Sequence, residues 1–353
     1  MSKIFISELQ GKDEFTSVFL VKIINVMEGK DGRKYFNIIL TDATGDLETR
    51  LWQYSSDIEQ QILKGTFVKV KGKLNFYQGR KQLIITKIEV APKDEVNEED
   101  YVMKATANPE TMYQDLLKIV DGLSDAYIRE LLKNIITDQE ISRRLKTWQA
   151  GKSIHHAYRS GLLEHILSCT QLAITLSKHY KVNVNYVVAG CILHDLCKIY
   201  ELTDGLNVEY TEEGKLVGHL VKGVEIVDRY AYKIKNFPHQ MKIHLKHILL
   251  SHHGEYEYGS PKIPQTSEAY LVHLIDLMDS KMGSFDLIKK TDNSTGHWSG
   301  FVKHLDRIVY KAELPFYPDF VSEDEVEERS KTTPRPEPKT SMAKMLGGFK
   351  IEE

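Results

Sequence analysis

The stretch Ala189-Gly-Cys-Ile-Leu-His-Asp-Leu-Cys-Lys198 decides how the rest of this chain is interpreted. It places His194 and Asp195 together inside an otherwise apolar run, which predicts a buried helix. Burying a charge in such a run is costly unless the charge is paired or bound to a metal. Neighbouring helix positions point about 100° apart, so both side chains can border one shared metal centre. The two oxygens of Asp195 can bridge two ions, and Lys198, on the same helix face, can reach a substrate phosphate.

Other histidines repeat this pattern of polar residues on apolar helices. All 14 histidines lie between residues 155 and 304. Imidazole and carboxylate together are the ligand set of a divalent transition metal. A lone histidine on an apolar helix is usually a core residue, but an ordered set on successive helices favours a metal site. The candidate ligands are His165, His194, Asp195, His219, His252, His253 and Asp276.

Composition limits the classes of function. The formal net charge of −3 gives no global basic signal, so a nucleic-acid partner needs a local patch or bound metals. The 3 cysteines form no CxxC motif, which favours buried free thiols in a reducing compartment. The first residues carry charges where a signal peptide needs an apolar core, and the apolar stretch 184–197 is too short to span a bilayer. These features predict a cytoplasmic protein without a membrane partner.

Residues 1 to about 95 have the pattern of a small β-barrel. Five β-branched or aromatic runs with partial alternation are separated by turn signals at 29–32, 42–45 and 77–79. One short helix is predicted between residues 55 and 63, after the third strand. Five strands with a helix at that point are typical of the OB-fold.

The second half of the chain has helical periodicity. An acidic stretch at 92–100 reads as a linker, and Asn108 followed by Pro109 gives a helix start. Helical patterns then continue to about residue 310, which predicts an all-α region. After residue 321 the composition is rich in Glu, Lys, Pro and Ser and predicts a disordered tail.

Grouped positive residues, with aromatic residues among them, occur along the predicted barrel. Single strands are held by base stacking on aromatic rings and by cationic contacts to phosphate. About half of these aromatics fill the barrel, and strand alternation requires that one of Tyr35 and Phe36 points inward. The predicted nucleic-acid contacts are Arg33, Tyr35, Trp52, Tyr77 and Arg80.

The order of the candidate ligands resembles that of the HD-domain phosphohydrolase superfamily. In that family, the positions matching His165, the His194-Asp195 pair and Asp276 bind the first metal. Members with two metals add histidines between the pair and the last aspartate, as this chain does. Residues 154–165 resemble a stretch found in a narrower group of the superfamily. There the resemblance suggests two further catalytic-pocket residues, His156 and Arg159.

A second resemblance covers the N-terminal part. Residues 32–54 are similar to nucleic-acid-binding OB domains of the anticodon-binding type. An OB domain, a helical connector and a two-metal HD domain, in that order, resemble the YhaM family of bacterial 3′-to-5′ exoribonucleases over residues 1–315. The implied domains are an OB-fold at 1–95, a linker and helical connector at 96–150, an all-α HD domain at 151–320 and a tail at 321–353.

The resemblance implies a metal-dependent 3′-to-5′ exonuclease that cuts single-stranded RNA, with DNA left open as a second substrate. Two Mn²⁺ ions would activate a water and clamp the phosphodiester. Fe²⁺, Co²⁺ and Ni²⁺ also suit histidine and carboxylate ligands. The expected catalytic residues are Asp195, Lys198, His156 and Arg159. A homo-oligomer is expected because helical domains offer apolar faces for self-association.

Two alternatives stay open on the sequence alone. The first is a cyclic-dinucleotide or nucleotide phosphohydrolase of the same superfamily. Cyclic-dinucleotide enzymes carry Gly-Tyr-Pro after a His-His pair, whereas this chain has His252-His-Gly-Glu-Tyr-Glu-Tyr-Gly-Ser-Pro261. The second is a non-catalytic regulator that binds single-stranded nucleic acid. Such a protein would have no use for a buried His-Asp pair.

Overall fold

Alternating apolar and polar residues close the N-terminal part of the chain into a five-stranded barrel. This computed structural model describes residues 3–9, 14–77, 80–105, 107–152, 156–206, 208–292 and 294–313, with only the backbone of Tyr77 and Arg80. The strand order is β1-β2-β3-β5-β4, closed, with a parallel β3–β5 pair and antiparallel pairs elsewhere. The strands are β1 (Glu14–Glu28), β2 (Lys34–Asp42), β3 (Gly45–Leu51), β4 (Phe67–Tyr77) and β5 (Arg80–Val90).

The barrel confirms the predicted OB-fold, including the helix after the third strand. Helix α1 (Ser56–Gln61) begins after Ser55, whose side chain accepts a hydrogen bond from the backbone N–H of Asp57. The predicted tail at 321–353 and the side chains of Tyr77 and Arg80 lie outside the described residues.

Strand β2 shows how alternation separates the core from the outer surface. Phe36, Ile38 and Leu40 are completely buried in the barrel. Tyr35 and Asn37 lie between them in sequence and are partly exposed on the outer face. Of the two adjacent aromatics, Phe36 is therefore the inward one, and Tyr35 is available for contacts outside the barrel.

Ten helices follow within the described residues. Asn108 caps the first one and Pro109 occupies its first turn, as the sequence predicted. No described helix combines the length and the apolar character needed to cross a bilayer. The helices are α2 (Pro109–Asp121), α3 (Ala126–Ile136), α4 (Gln139–Leu145), α5 (Gly161–Tyr180), α6 (Val184–Leu193), α7 (Lys198–Glu201), α8 (Glu212–Leu216), α9 (Gly218–Ala231), α10 (His239–Ser251) and α11 (Ser267–Thr291). Short 3₁₀ turns lie at Ile6–Glu8, Lys93–Glu95, Glu98–Tyr101 and Tyr256–Tyr258.

Close packing of α6 against α10 and α11 depends on one glycine. A Cβ atom at Gly190 would lie 2.7 Å from side-chain carbons of both Ile248 and Val272. Such a distance is far below ordinary van der Waals contact, so a larger residue would push the helices apart. The glycine lies one turn before His194 and Asp195, and its close packing brings these residues near α10 and α11.

The segment between the barrel and the first long helix packs against the barrel. The backbone N–H of Ala43 donates to the carbonyl of Asp100 over 2.9 Å. The hydroxyl of the buried Tyr101 donates to the carbonyl of Val18 in β1 over 3.2 Å. Both contacts lie within one compact unit, Met1–Lys311. The acidic stretch after the barrel is therefore attached to it through buried and backbone contacts.

The last described residues fold back on the end of α11. Leu305 and Val309 are buried and pack with Ile288 of that helix. Isolated bridges join Trp298 to Tyr310 and Val302 to Arg307.

Candidate metal centre

The His194-Asp195 pair lies in a buried turn rather than inside a helix. The sequence predicted a continuing helix, but α6 ends at Leu193, and residues 194–197 form the turn into α7. The backbone N–H of His194 still bonds to Gly190, and the N–H of Lys198 bonds to the carbonyl of Asp195. Both side chains of the pair are almost completely buried. The turn thus points two adjacent polar side chains into the helical core.

A first ligand group gathers four side chains from three parts of the chain: His165 of α5, the His194-Asp195 pair and Asp276 of α11. Their potential ligand atoms all lie within 4.8 Å of one another. Nε2 of His165 lies 3.1 Å from Nε2 of His194. It also lies 3.5 Å from Oδ2 of Asp195 and 3.4 Å from Oδ1 of Asp276. All four residues were predicted as ligands.

A second ligand group lies on the other side of Asp195. Ligand atoms of His219, His252 and His253 again lie within 4.8 Å of one another. Oδ1 of Asp195 lies 3.5 Å from Nε2 of His219 and 3.8 Å from Nε2 of His252. Oδ2 of the same carboxylate faces the first group. Asp195 therefore presents one oxygen to each group.

Backbone carbonyls fix the tautomer of three of these imidazoles. Nδ1 of His194 lies 3.0 Å from the carbonyl oxygen of Cys191. Nδ1 of His252 lies 2.8 Å from the carbonyl oxygen of Leu249, and Nδ1 of His253 lies 3.1 Å from the carbonyl oxygen of Tyr258. A carbonyl oxygen only accepts, so Nδ1 must carry the hydrogen in each ring. Nε2 is then the ligating nitrogen of the neutral ring, as in metal-bound histidines.

Two buried nitrogens indicate that these residues fit a metal ion. Among the described residues, Nε2 of His219 and Nε2 of His252 are buried and have no hydrogen-bond partner. Buried polar atoms are normally hydrogen-bonded, and each exception requires an explanation. Coordination to a cation would satisfy both atoms, and the histidine and carboxylate set suits a divalent transition metal.

Two carboxylates that orient the ligands were missed in the sequence analysis. Oδ2 of Asp279 lies 2.7 Å from Nδ1 of His165, and Ser168 donates to its other oxygen. Glu201 lies 2.9 Å from Nδ1 of His219. Asp279 follows Asp276 by three residues on the same face of α11, a spacing that could have identified it. No local sequence signal indicates Glu201, because its contact depends on how α7 and α9 pack.

His156 lies next to the first ligand group. Its Nε2 lies 3.1 Å from Oδ2 of Asp279, and its Nδ1 lies 3.3 Å from Glu164. Its backbone is left-handed, with φ of 51°. Its carbonyl oxygen lies 2.1 Å from where a Cβ of Gly161 would be, so only glycine fits there. Through Asp279, His156 shares a carboxylate with His165, and its catalytic role stays a prediction.

The two predicted cationic catalytic residues differ in position. Nζ of Lys198 lies 2.6 Å from Oδ2 of Asp195 and is mostly buried. Arg159 is 45% exposed and forms an ion pair of 2.9 Å with Glu99 of the segment after the barrel. The structure therefore brings Lys198 to the ligand groups, whereas the described ion pair of Arg159 is with Glu99.

Charges in the centre act strongly on one another. Burial raises the pKa of Asp195, but Lys198 and the adjacent histidines outweigh it and hold the pKa well below the ordinary value. Burial and neighbouring imidazoles hold the pKa of His252 well below its usual range, which favours the neutral, ligating ring. Burial lowers the pKa of His165, but Cys169 and hydrogen bonds to carboxylates outweigh it and raise the pKa. A proton and a cation therefore compete for His165.

A cleft of about 390 Å³ opens beside the second ligand group. His219, His253 and Lys198 form part of its wall. The wall also includes Lys152, Gly218, Leu220, Tyr210, Tyr258 and Gly259. Cationic and aromatic side chains at the mouth of a metal site are suited to a phosphate and a base.

The outer face of the barrel carries two of the predicted nucleic-acid contacts side by side. The rings of Tyr35 and Trp52 have centroids 4.9 Å apart, and Trp52 is 59% exposed. The guanidinium of Arg50 lies 6.0 Å from the ring of Tyr35. Arg33 is exposed and lies 3.6 Å from Asp31. Tyr35, Trp52 and Arg50 form one cation-flanked aromatic surface, which we call the stacking platform, and its role stays a prediction.

Several solved structures are similar to part of this chain. The second OB-fold domain of replication protein A from Methanococcus maripaludis is 24% identical, over 26% of this chain and 97% of that one, with a TM-score of 0.22. A replication factor A related protein from Methanobacterium thermoautotrophicum is 21% identical, over 27% and 96%, with a TM-score of 0.23. Asparaginyl-tRNA synthetase from Entamoeba histolytica is 14% identical, over 39% of this chain and only 35% of that one, with a TM-score of 0.22. Each of these matches covers only part of this chain.

Two family models match separate parts of the chain. Residues 18–91 match the model of the OB-fold nucleic acid binding domain of the tRNA anticodon type. Residues 162–281 match the HD domain. The second match begins before His165 and ends after Asp276, so it includes both ligand groups. The chain therefore joins an OB-fold nucleic acid binding domain to a helical HD domain of the metal-dependent phosphohydrolase superfamily.

Proposed function

We propose that this protein is a metal-dependent 3′-to-5′ exonuclease that hydrolyses single-stranded RNA to 5′-mononucleotides, with single-stranded DNA as a second substrate. The observation that carries the proposal is the position of Asp195, with one oxygen toward each ligand group. This arrangement suits a pair of divalent ions, and the nucleic-acid-binding barrel on the same chain favours a polymeric substrate over a mononucleotide.

Two ions, when bound, would lower the pKa of a water molecule and neutralise the phosphodiester. The residues that would hold the first ion are His165, His194, Asp195 and Asp276, and those for the second are Asp195, His219, His252 and His253. In the reaction, the oxygen of water joins phosphorus, and the bond from phosphorus to the 3′-oxygen of the preceding nucleotide breaks. The products are a 5′-mononucleotide and a strand with a new 3′-hydroxyl.

Lys198 is the residue of this chain best placed to act on the substrate phosphate. Its ammonium lies beside Asp195 and also borders the cleft. A phosphate oxygen entering the cleft can accept a hydrogen bond from this ammonium, which stabilises the negative charge that develops there. The aspartate meanwhile fixes the position of the lysine, so little rearrangement is needed.

We propose Mn²⁺ as the preferred ion, with Fe²⁺, Co²⁺ and Ni²⁺ as alternatives for the same ligands. The stacking platform would hold the strand upstream of its 3′ end, so that successive nucleotides reach the cleft. A homo-oligomer and a cytoplasmic location stay predictions of the sequence.

The test is digestion of a 5′-labelled single-stranded RNA with Mn²⁺ by the parent protein and by Asp195→Ala. A ladder that shortens from the 3′ end is expected for the parent. The substitution removes the carboxylate between both ligand groups, and removal of such a group typically costs several orders of magnitude in rate. Asp115→Ala is the matched control, because Asp115 is a half-exposed aspartate of α2 that pairs only with Lys118 among its described ion pairs.

The same assay separates the competing functions. Failure of the parent to cut RNA or DNA with any of the four metals would overturn the exonuclease. Hydrolysis of a cyclic dinucleotide or a nucleotide under those conditions would then indicate another phosphohydrolase of the superfamily. Strand binding that survives Asp195→Ala, without any hydrolysis by the parent, would indicate a binding regulator.

A further inference from the structure

A carboxylate bridges two lysines where the barrel meets the helices. Oε1 of Glu209 lies 2.7 Å from Nζ of Lys64, which precedes β4 of the barrel. Oε2 of Glu209 lies 2.5 Å from Nζ of Lys152, which precedes α5. All three side chains are 34–50% exposed. Two ammonium groups thus hold the two oxygens of one anion, which is also how they would hold the two non-bridging oxygens of a phosphodiester.

The backbone that presents Glu209 is fixed. Its N–H donates to the hydroxyl of Thr203 over 2.9 Å, and its carbonyl accepts from the N–H of Thr203 over 2.8 Å. The neighbouring pair Leu202 and Tyr210 forms an isolated bridge. The backbone of Glu209 is therefore held by hydrogen bonds, whereas the two lysines reach its carboxylate through flexible side chains.

The lysine pair lies between the barrel and the metal ligands. Lys152 lines the cleft of about 390 Å³ that also contains Lys198 and His219. It also lines a second cavity, of about 160 Å³, whose wall includes Lys64 and the barrel residue Lys22. Lys152 therefore borders both cavities, and Lys64 borders the one on the barrel side.

Another anion can replace the carboxylate of Glu209 between the two lysines. Hydrogen bonds from Lys152 and Lys64 lower the pKa of Glu209 to about 2, so it stays ionised at neutral pH. The pairs are exposed to water and are screened by salt, which makes exposed ion pairs weak. A polyanion that binds several sites at once can therefore displace a single carboxylate from the pair.

We propose that Lys64 and Lys152 form a phosphate-binding site for the backbone of a single strand, and that Glu209 occupies this site as an internal competitor. The proposal rests on the proposed function in one respect, namely that the ligand of the barrel is a single-stranded nucleic acid. It adds two contacts outside the ligand groups and the stacking platform.

The test measures binding of a fluorescent single-stranded RNA by anisotropy as a function of salt. The Asp195→Ala background keeps the strand intact. Lys64→Gln and Lys152→Gln should each reduce the slope of log K against log salt by about 0.7, the value for one phosphate contact on a single strand. Glu209→Gln should tighten binding about two- to fivefold at low salt, because it removes an exposed competing ion pair.

The matched controls are Lys133→Gln and Asp121→Asn. These residues form another half-exposed ion pair, 2.7 Å long, between α2 and α3, and neither lines the two cavities. Neither control should change the slope or the affinity. Unchanged slopes in both lysine variants, or unchanged or weaker binding by Glu209→Gln, would show that the bridge only ties the barrel to the helices.

Failure of this site and failure of the exonuclease are distinguishable. If the parent cuts RNA but both lysine variants keep the parental slope, the exonuclease stands and the phosphate site is overturned. If the slopes fall as expected but the parent cuts no strand, the phosphate site stands and the exonuclease is overturned. Thermal melting of each variant excludes unfolding as the cause of weaker binding.

Discussion

A carboxylate in a neighbouring helix helps to orient His165. Asp279 accepts from Nδ1 of His165, which directs Nε2 toward Asp195 and Asp276. Ser168 and His156 also contact Asp279 and hold its two oxygens in place. Carboxylates that orient a ligating imidazole in this way typically contribute about 10- to 100-fold to metal affinity.

Asp279→Ala should therefore weaken Mn²⁺ binding about 10- to 100-fold while leaving the fold intact. Asp279→Asn should lose less Mn²⁺ affinity, because the amide oxygen of asparagine can still accept the hydrogen bond from His165. Isothermal titration with Mn²⁺ measures both variants against the parent. Asp286→Asn, at an exposed position of the same helix, is the control. Equal affinities for the parent and Asp279→Ala would contradict a positioning role.

The sequence identified the candidate ligands by residue type and order, but it could not show their contacts. His165 and Asp276 could be predicted because a charged or polar group in an apolar helix needs a partner. Glu201 was missed because its partner lies on another helix, whereas the spacing of Asp279 from Asp276 was available in the sequence. The sequence also could not show that Arg159 pairs with Glu99, because the pair joins two distant segments of the chain.

The outer face of β2 and the end of β3 together form the stacking platform. Tyr35 lies in β2, Trp52 directly follows β3, and their rings are in contact. Alternation along β2 predicted that only one of Tyr35 and Phe36 could lie outside, but it could not choose between them. Packing decides, because the buried Phe36 fills the barrel between its neighbouring strands.

Trp52→Ala should weaken binding of a single-stranded RNA by about 1–3 kcal/mol, the usual effect of losing one base stack. Trp52→Phe should recover most of the affinity, since an aromatic face remains. Anisotropy in the Asp195→Ala background gives the values. Tyr232→Ala is the control, because Tyr232 follows α9 and is 92% exposed. A loss of equal size in Tyr232→Ala would argue against a specific platform.

Element boundaries were harder to predict than element types. Strand alternation and the Asn108-Pro109 signal predicted the barrel and α2 well. The end of α6 at Leu193 was missed, because the apolar run continues to Cys197 without glycine or proline. The turn is stabilised by tertiary contacts of its buried polar pair, which a single sequence does not reveal.

For the molecule as a whole, the ligand groups connect three long helices and two turns. Side chains from α5, α9, α11 and the turns after α6 and α10 converge on two adjacent points. Their order along the chain was visible in the sequence, but their convergence depends on close packing such as that at Gly190. A cation bound there would link segments more than a hundred residues apart in sequence.

Mn²⁺ should therefore raise the melting temperature in a concentration-dependent way. A ligand that binds only the folded state adds about 2.7 kcal/mol at a hundredfold excess over its Kd. For a domain of this size, that corresponds to a rise of about 5–10 °C. Differential scanning calorimetry with increasing Mn²⁺ measures the shift. Asp195→Ala should reduce this shift strongly, and Asp115→Ala should keep it. A melting temperature of the parent that does not change with Mn²⁺ would contradict a metal site at the ligand groups.

The two ligand groups together contain five imidazoles and two carboxylates. Ca²⁺ and Mg²⁺ are hard cations that prefer oxygen, and Ca²⁺ usually takes 6–8 oxygen ligands. A nitrogen-rich centre whose rings are fixed by hydrogen bonds cannot rearrange to offer that many oxygens. Softer first-row ions accept nitrogen readily. We therefore expect the fixed imidazoles to favour transition metals, and the activity of the protein to depend on a transition metal and not on magnesium or calcium.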